Sequence, residues 1–350
     1  MSSAIDSWYL EHLACPRDGG GLAMERGKLA CAHGHEYPVV DGIPVMLRGD
    51  VTQTIPLAEM SLRRALDPTA ADPRAPGLYL ESLGIDEHEK QGVVELAARG
   101  AGAVDPVVSY LVGATSGYMY KELIGNLRSY PIPDMRLEEG RGRTLLDVGC
   151  SWGRWSVAAA RKGYDAVGID PSLGAVMAAR RTARALGVHT RYVVGDARYL
   201  PFRDGLFDVV FSYSVLQHMA HDDVRLVLAQ VARVLMPGGL SKIQMASAFG
   251  VRSLYHLARR RFRPPRAFDV RYWRPGELRR EFARLIGAST LSADCFFGLG
   301  LQSADAAMMG GAKRMILGAS NGLVSLSRTL APVALLADSL YIESRRPRSP

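Results

Sequence analysis

The stretch Thr-Leu-Leu-Asp-Val-Gly-Cys-Ser-Trp-Gly-Arg-Trp-Ser-Val, residues 144–157, indicates how this chain folds. Its first residues are mostly apolar and predict a buried strand, the glycines predict a tight turn, and the alanines that follow predict a helix. Gly149 and Gly153 are four positions apart with no third glycine in place, so the spacing differs from the dinucleotide-binding fingerprint. We expect a different ligand on this turn.

An acid closes the first predicted strand. Asp147 lies directly before the glycines. A carboxylate there would repel a pyrophosphate, but it suits a ligand that carries an ammonium group and sugar hydroxyls. S-adenosylmethionine has both groups, so the turn predicts a site for this cofactor.

Further strands that end in polar residues follow in order. Asp170 ends the second strand and is expected to accept hydrogen bonds from both ribose hydroxyls, and Asp196 ends the third and faces the adenine amino group. A fourth strand covers residues 207–212, and a fifth is predicted from Leu240 after a helix that ends at a proline and two glycines. The candidate cofactor-binding residues are Asp147, Gly149, Cys150, Ser151, Gly153, Asp170, Pro171, Asp196, Ala197 and Ser212.

These ordered motifs resemble those of the class I S-adenosylmethionine-dependent methyltransferases, over residues 118–346. The resemblance implies an α/β fold with a seven-stranded, doubly wound (Rossmann-like) sheet in residues 141–346, and its last strand, near residues 339–344, would run antiparallel. One position departs from the family pattern. Ser151 stands where the middle glycine is usual, and we expect altered loop geometry with binding retained.

Length and composition predict a large core with a smaller module beside it. The chain has 350 residues, of which 48% are hydrophobic. We expect a cytoplasmic protein without a membrane span, because there is no signal-peptide pattern and no long uncharged apolar run. The four cysteines, at positions 15, 31, 150 and 295, do not form a disulfide framework and are expected to be reduced.

Residues 1–50 form the predicted smaller module. The Asp41-Gly42 pair between apolar triplets predicts a hairpin, and hence a small β module. Its pattern is similar to the zinc-ribbon activator subunits of RNA and protein methyltransferases, and to the ribbon fused ahead of some ribosomal-RNA guanine methyltransferases. That resemblance implies a zinc site at Cys15, Asp18, Cys31 and His35. A ribbon normally has paired cysteines, so a module that has lost its metal and is held by packing is the alternative.

Two helical segments flank the predicted cofactor motifs. Residues 51–140 are predicted to form a helical linker and cover, in which Tyr118, Tyr120 and Lys121 are candidates to close the site or to pack in the core. Residues 303–337 are predicted to form a helical insertion ahead of the last strand. Insertions at this end of the sheet often shape the acceptor pocket.

The loop after the fourth strand carries the candidate catalytic residue. It lacks the Asn/Asp-Pro-Pro-aromatic signature of enzymes that methylate amide or exocyclic amino nitrogens. His218 titrates near neutral pH and is a candidate base towards a hydroxyl, with an orienting role for the loop as the alternative. His221 is the second candidate, although it lies where the next helix is expected to start.

Positive charge is concentrated in residues 252–280. This segment has ten arginines against Asp269 and Glu277, a net charge of +8, which equals that of the whole chain. Such a segment suits a phosphate-bearing acceptor, or it is an arginine-rich surface in contact with solvent only.

Three functions remain open at this point. The first is O-methylation of a hydroxyl on a small molecule, a glycan or a lipid-linked acceptor. The second is RNA methylation that uses the ribbon and the arginine-rich segment. A nucleic-acid partner is less favoured than the acceptors of the first function. The third is a non-catalytic, cofactor-binding partner subunit of another protein.

Overall fold

The structure is a computed structural model that describes residues 5–100, 102–115, 118–266, 268–298, 300 and 302–348. Within these ranges, the side chains of residues 114, 115, 118 and 119 are not described. The candidate Tyr118 is one of these four residues, so its prediction lies outside the described side chains. Two β-sheets and eleven α-helices are found in the described part of the chain.

The larger sheet has seven strands in the order β10-β11-β9-β8-β5-β6-β7. The five strands β5 to β9 are parallel to one another, whereas β11 runs antiparallel between β9 and β10. This arrangement confirms the predicted fold class. The strands are β5 (Thr144–Val148), β6 (Asp165–Asp170), β7 (Thr190–Val194), β8 (Phe207–Ser212), β9 (Leu235–Ala246), β10 (Ser289–Cys295) and β11 (Ser339–Arg345).

The sheet is buried on both faces because alternate residues of its strands point to different helix layers. On one face Leu146 and Val148 pack with residues of α7 and α9, and on the other face Leu145 packs with residues of α5. The helices of this domain up to β10 are α5 (Arg154–Arg161), α6 (Leu173–Ala185), α7 (His221–Val234), α8 (Val251–Arg259) and α9 (Pro275–Leu285).

Strand β9 begins earlier than the sequence predicts. Leu235 pairs with Phe207, and the register shifts before Leu240 pairs with Val209. The segment predicted to end a helix, with its proline and glycines, is therefore a bulge within the strand. The bulge allows β9 to pair with β8 both before and after the glycines. The proline and glycines alone indicate only the end of a helix.

The smaller, antiparallel sheet precedes the main one. It comprises β1 (Leu22–Glu25), β2 (Lys28–Cys31), β3 (Glu36–Val40) and β4 (Ile43–Pro44) after the short helix α1 (Ser7–His12). Asp41 and Gly42 both have positive φ, at 47° and 78°, as a tight hairpin turn requires. The module covers the edge strand β7, where the Met46 amide donates to the Val194 carbonyl at 2.7 Å and the Tyr9 hydroxyl donates to the Tyr192 carbonyl at 2.9 Å.

Helices occupy the two remaining segments. The predicted linker contains α2 (Pro56–Leu66), α3 (Glu87–Arg99) and α4 (Pro106–Thr115), and the predicted insertion contains α10 (Gly311–Thr329) and α11 (Ala331–Ala334). Side chains of α3, α4, α6 and α10 share one hydrophobic cluster. The linker and the insertion are thereby packed onto the helical layer beside the cofactor motifs.

Candidate functional site

A cavity of about 750 Å³ lies beyond the carboxyl ends of the central strands. This is where open parallel sheets bind their ligands, because the loops there diverge to either side. One end of the cavity is bounded by the loops after β5, β6 and β7, and the other by the loop after β8 and by α8. The linker closes it from the side with residues Thr54, Ile55, Leu57, Leu83 and Leu111.

The glycine loop after β5 has a backbone that few side chains tolerate. Gly149 has a φ of +77°, and a Cβ added there would lie 2.3 Å from Val215. Ser151 also lies in the left-handed region, with a φ of 47°. The departure from glycine at this position therefore places a side chain on a strained backbone, and the expected altered geometry of the loop stays a prediction.

Asp170 holds this loop to the next one. Its carboxylate accepts the Ser151 amide and the Ser172 amide, both at 2.9 Å. Burial raises the pKa of Asp170 to about 6, against the opposing effect of these two amides. Each oxygen retains a lone pair for a ligand hydroxyl, as the predicted ribose contact requires.

Asp196 lies at the opposite side of the same end of the cavity. Its carboxylate is paired with the Arg198 guanidinium at 2.7 Å and accepts the Arg198 amide at 2.8 Å. Arg198 also pairs with Asp223 at 3.1 Å and donates to the Thr52 carbonyl at 2.8 Å. A hydrogen bond from an adenine amino group would therefore share the Asp196 carboxylate with an arginine.

The cavity brings together most of the residues predicted from the sequence. Its lining includes Gly149, Cys150, Ser151, Asp170, Pro171, Asp196, Ala197 and His218. Asp147, Gly153 and Ser212 are not among the described residues that line it. Asp147 is buried behind the loop, accepts the Ser156 hydroxyl at 2.7 Å, and has its pKa raised to about 7 by burial. Contact of Asp147, Gly153 and Ser212 with a cofactor stays a prediction.

Gly153 and Ser212 have clear roles in shaping the wall. Gly153 has a φ of +82° and precedes α5, and a Cβ there would lie 2.6 Å from the Tyr192 hydroxyl. Ser212 donates its hydroxyl to the Val148 carbonyl at 2.8 Å. This bond joins the ends of β8 and β5 and so fixes the two loops relative to each other.

His218 has a defined tautomer. Its Nδ1 lies 2.7 Å from the Phe268 carbonyl, which can only accept, so Nδ1 carries the proton and Nε2 keeps a lone pair. The imidazole stacks on the Phe268 ring with 4.2 Å between the ring centroids. Burial lowers the pKa of His218, and the Arg271 guanidinium acts in the same direction against the Phe268 hydrogen bond. The side chain is thus a neutral imidazole among the residues that line the cavity.

His221 is placed differently. It begins α7 and stacks on the buried Trp273 with 3.8 Å between the ring centroids. It is not among the described residues that line the cavity. The structure therefore puts the first candidate at the cavity and the second in a packing position.

A buried ionic cluster lies beside the cavity, and of its three residues only Tyr120 was a candidate from the sequence. Arg154, which lines the cavity, is paired with Asp305 of the C-terminal insertion, and Asp305 also accepts the Tyr120 hydroxyl. The Tyr120 hydroxyl lies 3.0 Å from the Arg154 guanidinium. Tyr120 was a candidate from its place ahead of the glycine loop, but no local signal connects it with a residue 185 positions later.

The arginine-rich segment supplies one wall of the cavity. Arg252, His256 and Arg260 recur every four residues along α8 and its end, and all three line the cavity. The Arg271 guanidinium donates to the His218 carbonyl at 2.6 Å and so holds this segment on the loop after β8. The sequence indicated the charge of the segment but not which of its arginines face the cavity.

The four predicted zinc ligands converge in the N-terminal module. One potential ligand atom from each of Cys15, Asp18, Cys31 and His35 lies within 4.8 Å of all the others. The Nδ1 atom of His35 is 3.0 Å from an Asp18 oxygen and 3.3 Å from the Cys31 sulfur. A tetrahedral ion with bonds of about 2.0–2.3 Å requires ligand separations in this range.

The surroundings of the cluster also suit a metal. Cys15 and Cys31 are buried, and the Tyr37 hydroxyl lies 3.1 Å from the Cys15 sulfur. The Gly20 amide donates to the second oxygen of Asp18 at 2.8 Å, which orients this carboxylate towards the thiols. Two thiols, an imidazole and a carboxylate form a donor set that zinc accepts.

The central part of the chain is similar to known proteins. Residues 145–239 match the family described as "Methyltransferase domain". The ubiquinone biosynthesis O-methyltransferase of Azorhizobium caulinodans is 37% identical over 100 residues, which are 29% of this chain and 39% of that protein. The methyltransferase GfsG of Streptomyces halstedii is 36% identical over 107 residues, which are 30% of this chain and 38% of that protein. The chain thus spans about two fifths of the length of these curated relatives.

Solved structures resemble the chain more loosely. The YcgJ protein of Bacillus subtilis aligns with a TM-score of 0.41 and 18% sequence identity, over 60% of this chain and 94% of that one.

We expect the backbone strain at Ser151 to limit which side chains the glycine loop accepts. Ser151→Val places a β-branched residue at positive φ, at a cost of about 1–2 kcal/mol, and should weaken S-adenosylmethionine binding about tenfold. Ser151→Gly is the matched control and should bind as the wild type does in isothermal titration calorimetry. Equal affinities of all three proteins would show that the loop conformation has no influence on binding.

Asp170 should give cofactor binding a dependence on pH. The ribose hydroxyls donate to the ionised carboxylate, so the dissociation constant should rise as the pH falls below about 6, towards tenfold for each pH unit. Asp170→Asn should bind about 2–3 kcal/mol more weakly and lose this dependence. Asp147 remains in the variant, and its pKa should fall because the Asp170 charge contributes to raising it. A wild-type affinity for Asp170→Asn would contradict the ribose assignment.

If the N-terminal cluster holds zinc, metal analysis should find about one ion per purified chain. Cys31→Ser should lose the metal and make residues 1–50 the first part cleaved by protease. His33→Ala is the matched control, because His33 also contacts Asp18, at 3.1 Å, but lies outside the four-ligand cluster and should leave the metal in place. Wild-type protein that has no metal and yet resists protease would support a module held by packing alone.

Proposed function

We propose, from the class I S-adenosylmethionine-dependent methyltransferase domain that this chain contains, that the protein transfers a methyl group to a hydroxyl oxygen. The acceptor would be a small molecule, a glycan or a lipid-linked compound. The observation that carries the proposal is the neutral His218, whose unprotonated Nε2 lies on the wall of the cavity that Asp170 and the glycine loop also line. The similarity to a ubiquinone biosynthesis O-methyltransferase supports an oxygen acceptor.

The end of the cavity proposed for the cofactor carries carboxylates. Asp170, Asp196 and Asp223 lie there, and the sulfonium and ammonium groups of the cofactor are cationic. The opposite end is lined by Arg252 and Arg260 and also by Asp269 and Asp338. An acceptor at that end would approach the methyl group from the side of His218.

In the proposed reaction the acceptor oxygen attacks the methyl carbon as the bond from carbon to sulfur breaks, and the electron pair of that bond stays on sulfur. Nε2 of His218 takes the hydroxyl proton, while Nδ1 keeps its hydrogen bond to the Phe268 carbonyl. The products are S-adenosylhomocysteine, the methyl ether and an imidazolium. The protein's main contribution is alignment, because the leaving group is already activated by its charge.

We further propose that the chain works as three parts: the ribbon-like module of residues 1–50, the helical cover of residues 51–140 and the methyltransferase domain of residues 141–346. The metal-binding cluster would have a structural role. Its module packs on the edge of β7, the strand that leads to Asp196, which supports a stabilising part rather than a catalytic one.

The acceptor class can be found by methyl transfer from labelled cofactor into a fractionated extract. Label in small metabolites or lipid-linked sugars would support the proposal. Label in RNA would favour the function that uses the ribbon and the arginines. No turnover by the purified chain, with cofactor bound, would favour a non-catalytic partner subunit.

His218→Ala should lower the turnover number about 100-fold, because general-base assistance of this size is lost. Cofactor affinity should stay unchanged. The lowered pKa of His218 means that wild-type activity falls only in acid, as Nε2 becomes protonated, and this acidic limb should vanish in the variant. The pH profile of kcat/KM is the measurement.

The matched control is His221→Ala, which removes the neighbouring imidazole from its stack on Trp273. It should lower stability while the acidic limb of the profile remains. Near-normal turnover of His218→Ala would assign that residue to orienting the loop.

A further inference from the structure

Helix α8 directs its apolar side chains to solvent. Val251, Leu254 and Tyr255 recur at helical spacing and are exposed, with Val251 at 63%, whereas Ser253 on the opposite side is buried. Phe262 follows at 70% exposed, flanked by Phe249 and Phe268. An amphipathic helix normally turns its apolar stripe towards the core. Here the cationic side lines the cavity and the apolar side has no partner among the described residues.

A second exposed apolar segment lies beside the first. Leu335 and Leu336 are exposed just before Asp338, and the Asp338 carboxylate accepts the Ser253 amide of α8 at 2.8 Å. The same segment carries four more exposed apolar residues on α10 and its end: Met315, Ile316, Leu326 and Leu330. Together the two segments hold twelve of the eighteen large hydrophobic side chains that are exposed in the described structure, of which Phe268 stacks on His218 and lines the cavity. We call the other eleven residues the outer patch.

Positive charge exceeds negative charge around the outer patch, although Glu122 is paired with Lys313 at 2.8 Å and Asp269 lies 4.0 Å from Arg260. Residues 249–268 contain six arginines and no acid, and residues 311–337 contain Lys313, Arg314 and Arg328 and no acid. Exposed apolar groups in such a concentration mark an interaction site rather than an ordinary surface. The partner must therefore accept apolar side chains and also supply negative charge.

We infer that the outer patch binds the surface of an anionic lipid bilayer, with α8 lying in the interface. Helices with an apolar stripe bordered by arginines bind at the boundary between head groups and acyl chains. Each arginine near such a surface adds an attraction to anionic lipids. None of the helices in the described part of the chain is long and apolar enough to cross a membrane, so the contact would be peripheral.

A second copy of the chain fits the outer patch less well. A symmetric dimer through this surface would bring both sets of nine cations together without a single acid from these segments. Aliphatic residues such as Val251, Leu254 and Met315 also suit acyl chains better than the stacked bases of a nucleic acid. The cationic side of α8 reaches the cavity through Arg252 and Arg260, so docking would set the acceptor end of the cavity at the bilayer.

The test is co-sedimentation of the full chain with phosphatidylcholine vesicles that contain or lack phosphatidylglycerol. Wild-type protein should bind only the anionic vesicles, and added salt should weaken binding. Replacing three apolar residues of the patch by serine, as Val251→Ser with Leu254→Ser and Phe262→Ser, should weaken binding about 100-fold. Arg259→Gln with Arg261→Gln and Arg263→Gln should abolish the preference for anionic lipid.

The matched control carries Met24→Ser, Met60→Ser and Leu66→Ser, three exposed apolar residues outside the patch, and should bind as the wild type does. Circular dichroism and thermal unfolding verify that every variant folds. Light scattering tests the alternative: a wild-type dimer that the patch variant converts to a monomer, without vesicle binding, would overturn the inference. Equal vesicle binding by patch variant and control would also overturn it. Neither result depends on whether methyl transfer occurs.

Discussion

The rest of the cavity depends on the two hydrogen bonds that the Asp170 carboxylate accepts from backbone amides. Asp170 ends β6, and its two oxygens accept the amides of Ser151 and Ser172, so one buried acid fixes the glycine loop and the start of α6 at once. The same burial that makes these bonds strong raises the pKa of the acid and penalises its charge. The proposed cofactor, a cation with hydroxyl donors, would offset that penalty. The way the loops are held thus supports the proposal of such a ligand.

The walls of the cavity come from parts of the chain that are far apart in sequence. Arg154 follows the glycine loop, Tyr120 belongs to the linker and Asp305 to the C-terminal insertion, yet the three form one buried cluster. A buried charge that loses its partner is strongly destabilising. The cluster therefore couples the positions of the linker and the insertion to the helix that follows the glycine loop, where Arg154 lines the cavity.

Local sequence was sufficient where the fold is local. Short apolar runs, acids at strand ends and the glycine turn predicted the parallel strands and the loops after β5 and β6. The bulge in β9 could not be predicted, because it depends on the pairing of Leu235 with Phe207. The tautomer of His218 likewise depends on the Phe268 carbonyl, fifty residues further on. Contacts between distant segments leave no periodic signal, so the sequence indicated which residues could act and not how they are held.

The N-terminal module is more than an appendage of the sheet. Tyr9, Leu13 and Phe202 share one hydrophobic core with the strands, so residues of the module and of the methyltransferase domain are buried together. From its last strand the chain continues along β7 and reaches Thr52, whose carbonyl holds the Arg198 side chain that is paired with Asp196. A structural metal in this module would stabilise the path of the backbone on which that contact rests. The N-terminal module and the Asp196 side of the cavity are therefore linked through the Thr52 carbonyl and Arg198.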